Sequence, residues 1–222
     1  MTLLTIAIDA STYSASVALI DGETLLRERA VAMRDPRHER LMPAVADVLG
    51  DVAVRDVDRV VCGAGPGSFT SLRIAASIAK GLAVAADKPL FALSSLVLSI
   101  AGSQVALSDG RWLAVLDAMR GESFAQLIDV RSSADVSEAS EVRVLREEEL
   151  VAFARAAGAR IAGPGREVDV VPHARGVARL GSHPALRQPV DLASWEPDYG
   201  RLAEAQVRWE AAHGRSLSER SP

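Results

Sequence analysis

A mixed α/β fold of two unequal lobes is the architecture that this chain of 222 residues predicts, and three features of its hydrophobic pattern carry that expectation. Residues 4–32 alternate apolar and polar side chains with the period of two that lines one face of a strand. From residue 37 to residue 101, helix-period and strand-period segments take turns, as they do when helical crossovers bring strands side by side. After residue 110 the opening order starts again and stops short.

The elements follow in order. Leu4, Ile6 and Ile8 mark a first strand, Val17 and Leu19 a second, and Asp21-Gly22 is a two-residue hairpin signal before a third strand from Thr24 to Ala32. A helix is expected from about Arg37 to Leu49, with Leu41, Val45, Val48 and Leu49 inward and Pro43 in its first turn or at a kink. A short strand at Arg59 to Cys62 precedes a helix that Ser68 or Thr70 can cap and that runs to Ala86. Pro89 to Leu93 reads as a strand and Ser95 to Ala101 as an apolar helix. The second round has strands at Trp112 to Leu116 and Ser123 to Val130 around a turn at Asp117 to Glu122, with a third strand at Glu141 to Leu145. An amphipathic helix from Glu147 to Ala157 carries acids at its positive end, and Arg160 to Ala162 is a last strand. Beyond Gly163-Pro164-Gly165 the pattern weakens into segments bearing Pro172, Pro184, Pro189 and Pro197, then a helix from Leu202 to His213 and a polar tail. A boundary at Gln104 to Gly110 divides an N-terminal lobe, residues 1–105, from a shorter C-terminal lobe, residues 106–222.

The helix from Ser68 to Ala86 has more apolar surface than one sheet can cover. At about 100° per residue, Ile74, Ala75, Ile78, Leu82 and Ala85 share one stripe, expected to lie on the sheet. Phe69, Leu72, Ala76, Ala79, Ala83 and Ala86 share a second, leaving Arg73, Ser77, Lys80 and Val84 on a narrow third face. The small side chains of the second stripe let another helix come close. Spacing alone does not say whether that helix belongs to this chain or to a second one.

Composition removes several classes. A 49% hydrophobic chain with mixed charges is not disordered, and no apolar run approaches the ~20 residues of a membrane span. The N-terminal Met1-Thr2-Leu3-Leu4 lacks a basic segment and a cleavage site, so the expected location is cytoplasmic. A net charge of −4 with interleaved arginines offers no basic face for gripping nucleic acid unaided. The lone Cys62, inside Arg59-Val60-Val61-Cys62-Gly63, reads as a buried inert thiol.

Three strands, helix, strand, helix, strand, helix, followed by an incomplete second copy, is the organisation of the actin-like (ASKHA, ribonuclease H-like) fold, by analogy. The segments Ile8-Asp9-Ala10-Ser11-Thr12, His38-Glu39-Arg40-Leu41-Met42-Pro43, Gly65 to Ala83, Leu93-Ser94-Ser95-Leu96 and Asp117-Ala118-Met119-Arg120-Gly121-Glu122 occur in an order and spacing that resemble the TsaB family, also called YeaZ. Ser71 and Ala75 stand where that family usually has glycine, and Pro197-Asp198-Tyr199-Gly200-Arg201 only loosely matches its Pro-x-Tyr-Leu-Arg ending. The resemblance implies a non-catalytic subunit of the bacterial machinery that installs threonylcarbamoyl on the adenosine beside the anticodon. It implies a TsaD-like catalytic partner, a TsaE-like ATPase, contact with tRNA only through the complex, and no membrane. It places the partner interface on Ser68, Phe69, Leu72, Arg73, Ala76, Ala79, Lys80 and Ala83, with His38, Leu41 and Met42 from the preceding helix. An uncovered apolar stripe further implies a homodimer through the same surface when the chain is alone.

The rival expectation is a stand-alone actin-like ATPase or phosphotransferase. In such a fold, Asp9, Ser11 and Thr12 would sit where a hairpin loop holds phosphates and an aspartate positions a metal-bound water. The loop has no lysine, and the second half has no glycine-rich partner loop to complete a nucleotide clamp, so a turn with satisfied side chains is the favoured reading. No intrinsic cofactor is expected; ATP or ADP belongs, if anywhere, to the assembled complex. His38, His173, His183 and His213 are isolated, without the close spacing a metallopeptidase needs, so no metal and no catalytic residue is assigned. Asp117, Arg120 and Glu122 are left between two roles, a local ion-pair cluster or an assembly contact.

Overall fold

The computed structural model describes residues 3–33, 40–132 and 135–200. The alternating opening residues form β1 (Leu4–Asp9), β2 (Ser14–Asp21) and β3 (Thr24–Ala32), an antiparallel meander turned at Gly22, whose φ of 60° suits the hairpin. Helix α1 (Leu41–Leu49) follows, with Pro43 in its first turn, where a missing N–H costs no helical bond. Its expected start at Arg37 lies outside the described residues, as do His38, the 202–213 helix and the tail. Strand β4 (Arg59–Gly63) runs parallel to β1, and after α2 (Phe69–Ala86) β5 (Leu90–Leu93) runs parallel to β4, giving the order β3-β2-β1-β4-β5.

Helix α3 (Ser95–Ala101) leads to the second sheet. There β6 (Gly110–Asp117) and β7 (Glu122–Ser132) form a hairpin. The long β7 pairs β8 (Asp135–Glu138) along one half and β9 (Arg143–Arg146) along the other. Sequence reading missed β8, whose Asp-Val-Ser-Glu carries one apolar side chain and no alternation. Helix α4 (Glu147–Ala156) then returns β10 (Arg160–Ala162) parallel to β6, as α1 returns β4 to β1. The N-terminus of α4 is closed by Glu149, which accepts the Arg146 backbone N–H at 2.9 Å.

Strand alternation sorts the side chains into layers. Ile6, Ile8, Val17 and Leu19 pack under α1 and α2, while Ala7, Ala18 and Ile20 point the other way, toward α3. Trp112, Ala114 and Leu116 of β6 meet α3 from the second sheet, and Leu113 and Val115 pack on α4. One buried core therefore contains residues of both sheets with α3 between them. Contrary to the composition-based expectation, α2 is long and apolar enough to cross a membrane by length and composition alone. Eight of its residues, however, are buried in this chain's own packing.

Candidate functional site

Helix α2 is the element to which sequence assigned a partner, and its faces are distributed otherwise than expected. Ala75, Ala79, Leu82 and Ala83 pack into the core over the first sheet, and Leu72 and Ala76 are buried as well. Leu72, Ala76, Ala79 and Ala83, with Leu41 of α1, are therefore sealed inside the chain and are corrected from interface to core. The stripe expected on the sheet is the one that divides: Ile74 and Ile78 are half-buried and Ala85 is exposed. With Thr70, Arg73, Ser77, Gly81 and Val84 they line the open side of the helix, where Val84 is 69% exposed. Met42 of α1, exposed, joins Arg73, Ile74, Ser77 and Ile78 around a shallow groove.

The physical reason is the end of the described chain. Residues 189–200 form a strap that folds back over α2, held where the Val190 N–H donates to the Leu90 carbonyl (2.8 Å) and the Asp198 N–H to that of Ala64 (2.7 Å). Val190, Leu192 and Trp195 pack against the α1–α2 core. The Tyr199 ring lies 4.5 Å from that of Phe69, and Arg73 stacks over Phe69 at 4.3 Å while its Nε donates to Tyr199 Oη at 3.2 Å. Lys80 sits over the Trp195 ring at 5.8 Å. Ser68, Phe69 and Lys80 are thereby half-buried by this chain, leaving Arg73 and Met42 as the exposed members of the expected interface. Sequence held one signal for the strap: Val190, Leu192 and Trp195 are apolar residues in a proline-bearing stretch with no period of its own.

The first hairpin loop builds the second candidate site. Asp9 ends β1 fully buried, and its Oδ1 accepts the Ser11 N–H (3.0 Å) and Ser11 hydroxyl (2.8 Å). Its Oδ2 accepts the Ser95 hydroxyl at 2.6 Å, and Ser95 Oγ in turn accepts the Gly65 N–H at 3.1 Å. Burial pushes the Asp9 carboxyl above the usual 3.8, against the Ser95 and Ser11 hydrogen bonds that favour its ionised form. Gly63 is required here, because a Cβ would collide with Asp9 Oδ2. The Gly65-Pro66-Gly67 loop closes directly onto the hairpin loop: Ser68 N–H donates to Ser11 O at 2.7 Å, and a Cβ on Gly67 would strike the same carbonyl. Ser68 occupies the N-cap position of α2, but its hydroxyl meets Ser71 Oγ at 3.1 Å instead of capping. Thr12 is spent on its own turn, its hydroxyl donating to the Ser14 carbonyl at 2.9 Å and accepting the Ser14 N–H at 3.1 Å. Gly200 of the strap then wedges between Pro66 and Phe124 of β7, leaving no space for a Cβ. The structure thus brings Asp9 and Ser11 together and turns Thr12 away from them.

Cys62 is buried beside Asp9, and burial first, then the Asp9 charge, push its thiol upward. His173 and His183 are both buried, on different neighbours: His173 Nδ1 accepts the Arg175 N–H (3.2 Å) and His183 Nε2 meets Glu138 Oε2 (3.1 Å). Among the described residues no three His, Cys, Asp or Glu converge as a metal site. In the β6–β7 turn, Asp117 Oδ1 accepts the Met119 N–H at 2.8 Å, and Met119 and Arg120 both take left-handed φ, 65° and 59°. Glu122 lies 3.9 Å from Arg146 on the neighbouring strand.

Known proteins place this geometry. Residues 33–169 match the family model described as TsaD, tRNA N6-adenosine threonylcarbamoyltransferase. The tRNA threonylcarbamoyladenosine biosynthesis protein TsaB of Bacillus subtilis is 29% identical over 94% of this chain and 98% of its own length. The chain belongs to the TsaB (YeaZ) family. The TsaB of Escherichia coli is 35% identical over 54% of this chain and 52% of its own. Among solved structures, YeaZ from Pseudomonas aeruginosa superimposes with a TM-score of 0.73 at 27% identity, over 89% of this chain and 99% of that one. A second Pseudomonas aeruginosa structure, described as similar to peptidase YeaZ, reaches 0.76 at 28% identity, over 90% of this chain and 100% of its own. With these likenesses the two mixed sheets are those of the actin-like fold. For a TsaB-family chain, the buried Ser71 and Ala75, standing at usual glycine positions, change inward packing and not the exposed stripe of α2.

Proposed function

We propose that this chain is a non-catalytic, cytoplasmic accessory subunit of tRNA threonylcarbamoyladenosine biosynthesis that docks on a TsaD-like transferase through the open side of α2. The names of its relatives support the pathway. The observation that carries the docking role is the open side of α2, where Arg73, Ser77, Gly81, Val84 and Ala85 are exposed and Ile74 and Ile78 half-buried, with Met42 beside it. It combines apolar patches with small residues that permit close helix approach. The accessory role is supported by Asp9, whose two oxygens are engaged by Ser11 and Ser95, by Gly63 packed against its Oδ2, and by the Gly67 backbone closed onto the Ser11 carbonyl. Any ATP or ADP, a TsaE-like ATPase and the tRNA then come with the other subunits, and alone the chain pairs with a second copy through the same stripe.

The test mixes the chain with the TsaD-like protein of the same cell and follows the complex by size exclusion and calorimetry. Ile78→Glu sets a charge on the half-buried rim of the groove; it should weaken the complex at least about tenfold, the equivalent of about 1.4 kcal/mol, with circular dichroism unchanged. An intact complex with the double variant Ile74→Glu/Ile78→Glu would overturn the docking face. Turnover of Mg-ATP by the isolated chain, lost on Asp9→Asn, would favour the stand-alone ATPase instead.

A further inference from the structure

A cavity of about 130 Å³ opens at the margin of the shared core, and none of its lining residues belongs to the sites described above. Ile100 of α3, Ala106 and Leu107 of the following connection, Val130 of β7 and Val136 of β8 give it an apolar lining. Arg179 is the charged residue of that lining. Arg179 is exposed, and one nitrogen anchors its guanidinium: Nη1 donates to the Ala101 carbonyl (3.1 Å) at the C-terminal end of α3 and to the Ser103 carbonyl (3.0 Å) just beyond it. Among the described residues no carboxylate pairs with Arg179, and its Nε and Nη2 have no acceptor.

We propose that this cavity binds a small apolar monocarboxylate, the size of benzoate or a branched acid of about five carbons. The volume limits the body: an apolar cavity of ~150 Å³ holds one benzene ring, so larger acids do not fit. The guanidinium selects the head group, because its fork of parallel donors matches a carboxylate and two of its nitrogens are open. The ring or branched chain rests against Leu107, Val130 and Val136, and the carboxylate remains at the mouth on Arg179. This assignment stands apart from the docking role of α2 and does not depend on it.

The full chain is titrated with sodium benzoate, with benzyl alcohol as its neutral counterpart and sodium chloride as the ionic control, and followed by methyl NMR. Saturable shifts confined to Ile100, Leu107, Val130, Val136 and the flanking Ala101 and Ala106 are expected, with benzoate about tenfold tighter than benzyl alcohol, as a charge-assisted hydrogen bond gives. Arg179→Gln should erase that preference. Ala106→Trp, at an exposed position on the mouth, should abolish binding of both while leaving the spectrum of the fold intact. Shifts that do not saturate, shifts elsewhere, or equal affinity for benzoate in Arg179→Gln would overturn the assignment.

Discussion

Asp9 ends β1 with both carboxylate oxygens engaged by groups of this chain. Its oxygens collect three hydrogen bonds from Ser11 and Ser95, and Ser95 also holds the Gly65 N–H, so one hydroxyl ties β1, the glycine loop and α3 together. Ser95→Ala strands two buried polar groups and should cost on the order of 2–4 kcal/mol in urea denaturation. Because burial raises the Asp9 carboxyl above 3.8 in the folded chain, the folded state keeps a proton that the unfolded state releases between those two values. Stability from this group is greatest below that window and falls as pH rises through it. Asp9→Asn carries no such titration, so the melting temperature of the variant should gain on that of the parent as pH climbs; a constant gap would refute the sign. His173 runs the other way, since burial and then Arg175 lower it from 6.5 to about 4. Its unfolded form takes up protons first, so stability is lost as pH falls from 6.5 toward 4, a slope that His173→Gln should remove.

At the scale of the element, α2 separates what a sequence can reveal from what it cannot. Two variants test its faces: Ala79→Glu puts a charge into a site with no exposure and should cost more than about 4 kcal/mol. Val84→Glu, on the open side, should shift stability by no more than about 0.5 kcal/mol. The reverse ranking would restore the stripe assignment made from spacing. That spacing correctly announced a helix with two apolar stripes, because periodicity is a local property written into neighbouring residues. Which stripe stays open depends on Tyr199 and Trp195, more than a hundred residues away, and a strap of irregular backbone has no period to read. The same distinction explains the rest of the chain. Strands β1 and β3 to β7 and helices α3 and α4 were legible within a residue or two and β2 by its centre, whereas β8, with Val136 as its one apolar side chain, was not. The sequence grouped Asp9, Ser11 and Thr12 in one loop, but the fold turns Thr12 to Ser14 and brings Ser95 to Asp9 from 86 residues away.

For the whole molecule, the question is whether two sheets of separate sequence origin unfold separately. Their shared core argues against it: Ala7, Ile20 and Val61 of the first sheet, Leu96 and Ile100 of α3, and Trp112, Leu116 and Ile128 of the second form one buried cluster. The chain also crosses back, since the strap that follows the second sheet packs on α2 and donates to Leu90 of β5 and to Ala64 at the end of β4. Neither sheet can lose its inner face without exposing the other's, which is the condition for one cooperative transition. Tryptophan placement provides the readout, with Trp112 in β6 and Trp195 on the strap. In a Trp209→Phe background, Trp195→Phe leaves fluorescence reporting the second sheet, and Trp112→Phe leaves it reporting the strap on the first. Within each variant, the urea midpoint by fluorescence should coincide with that by far-ultraviolet circular dichroism. Leu96→Ala, which empties the shared layer, should lower both midpoints together by about 2–5 kcal/mol of stability with an unchanged slope. If the strap signal instead survives to higher urea than the second-sheet signal, α3 is a hinge between two independently stable units and not the common centre of one.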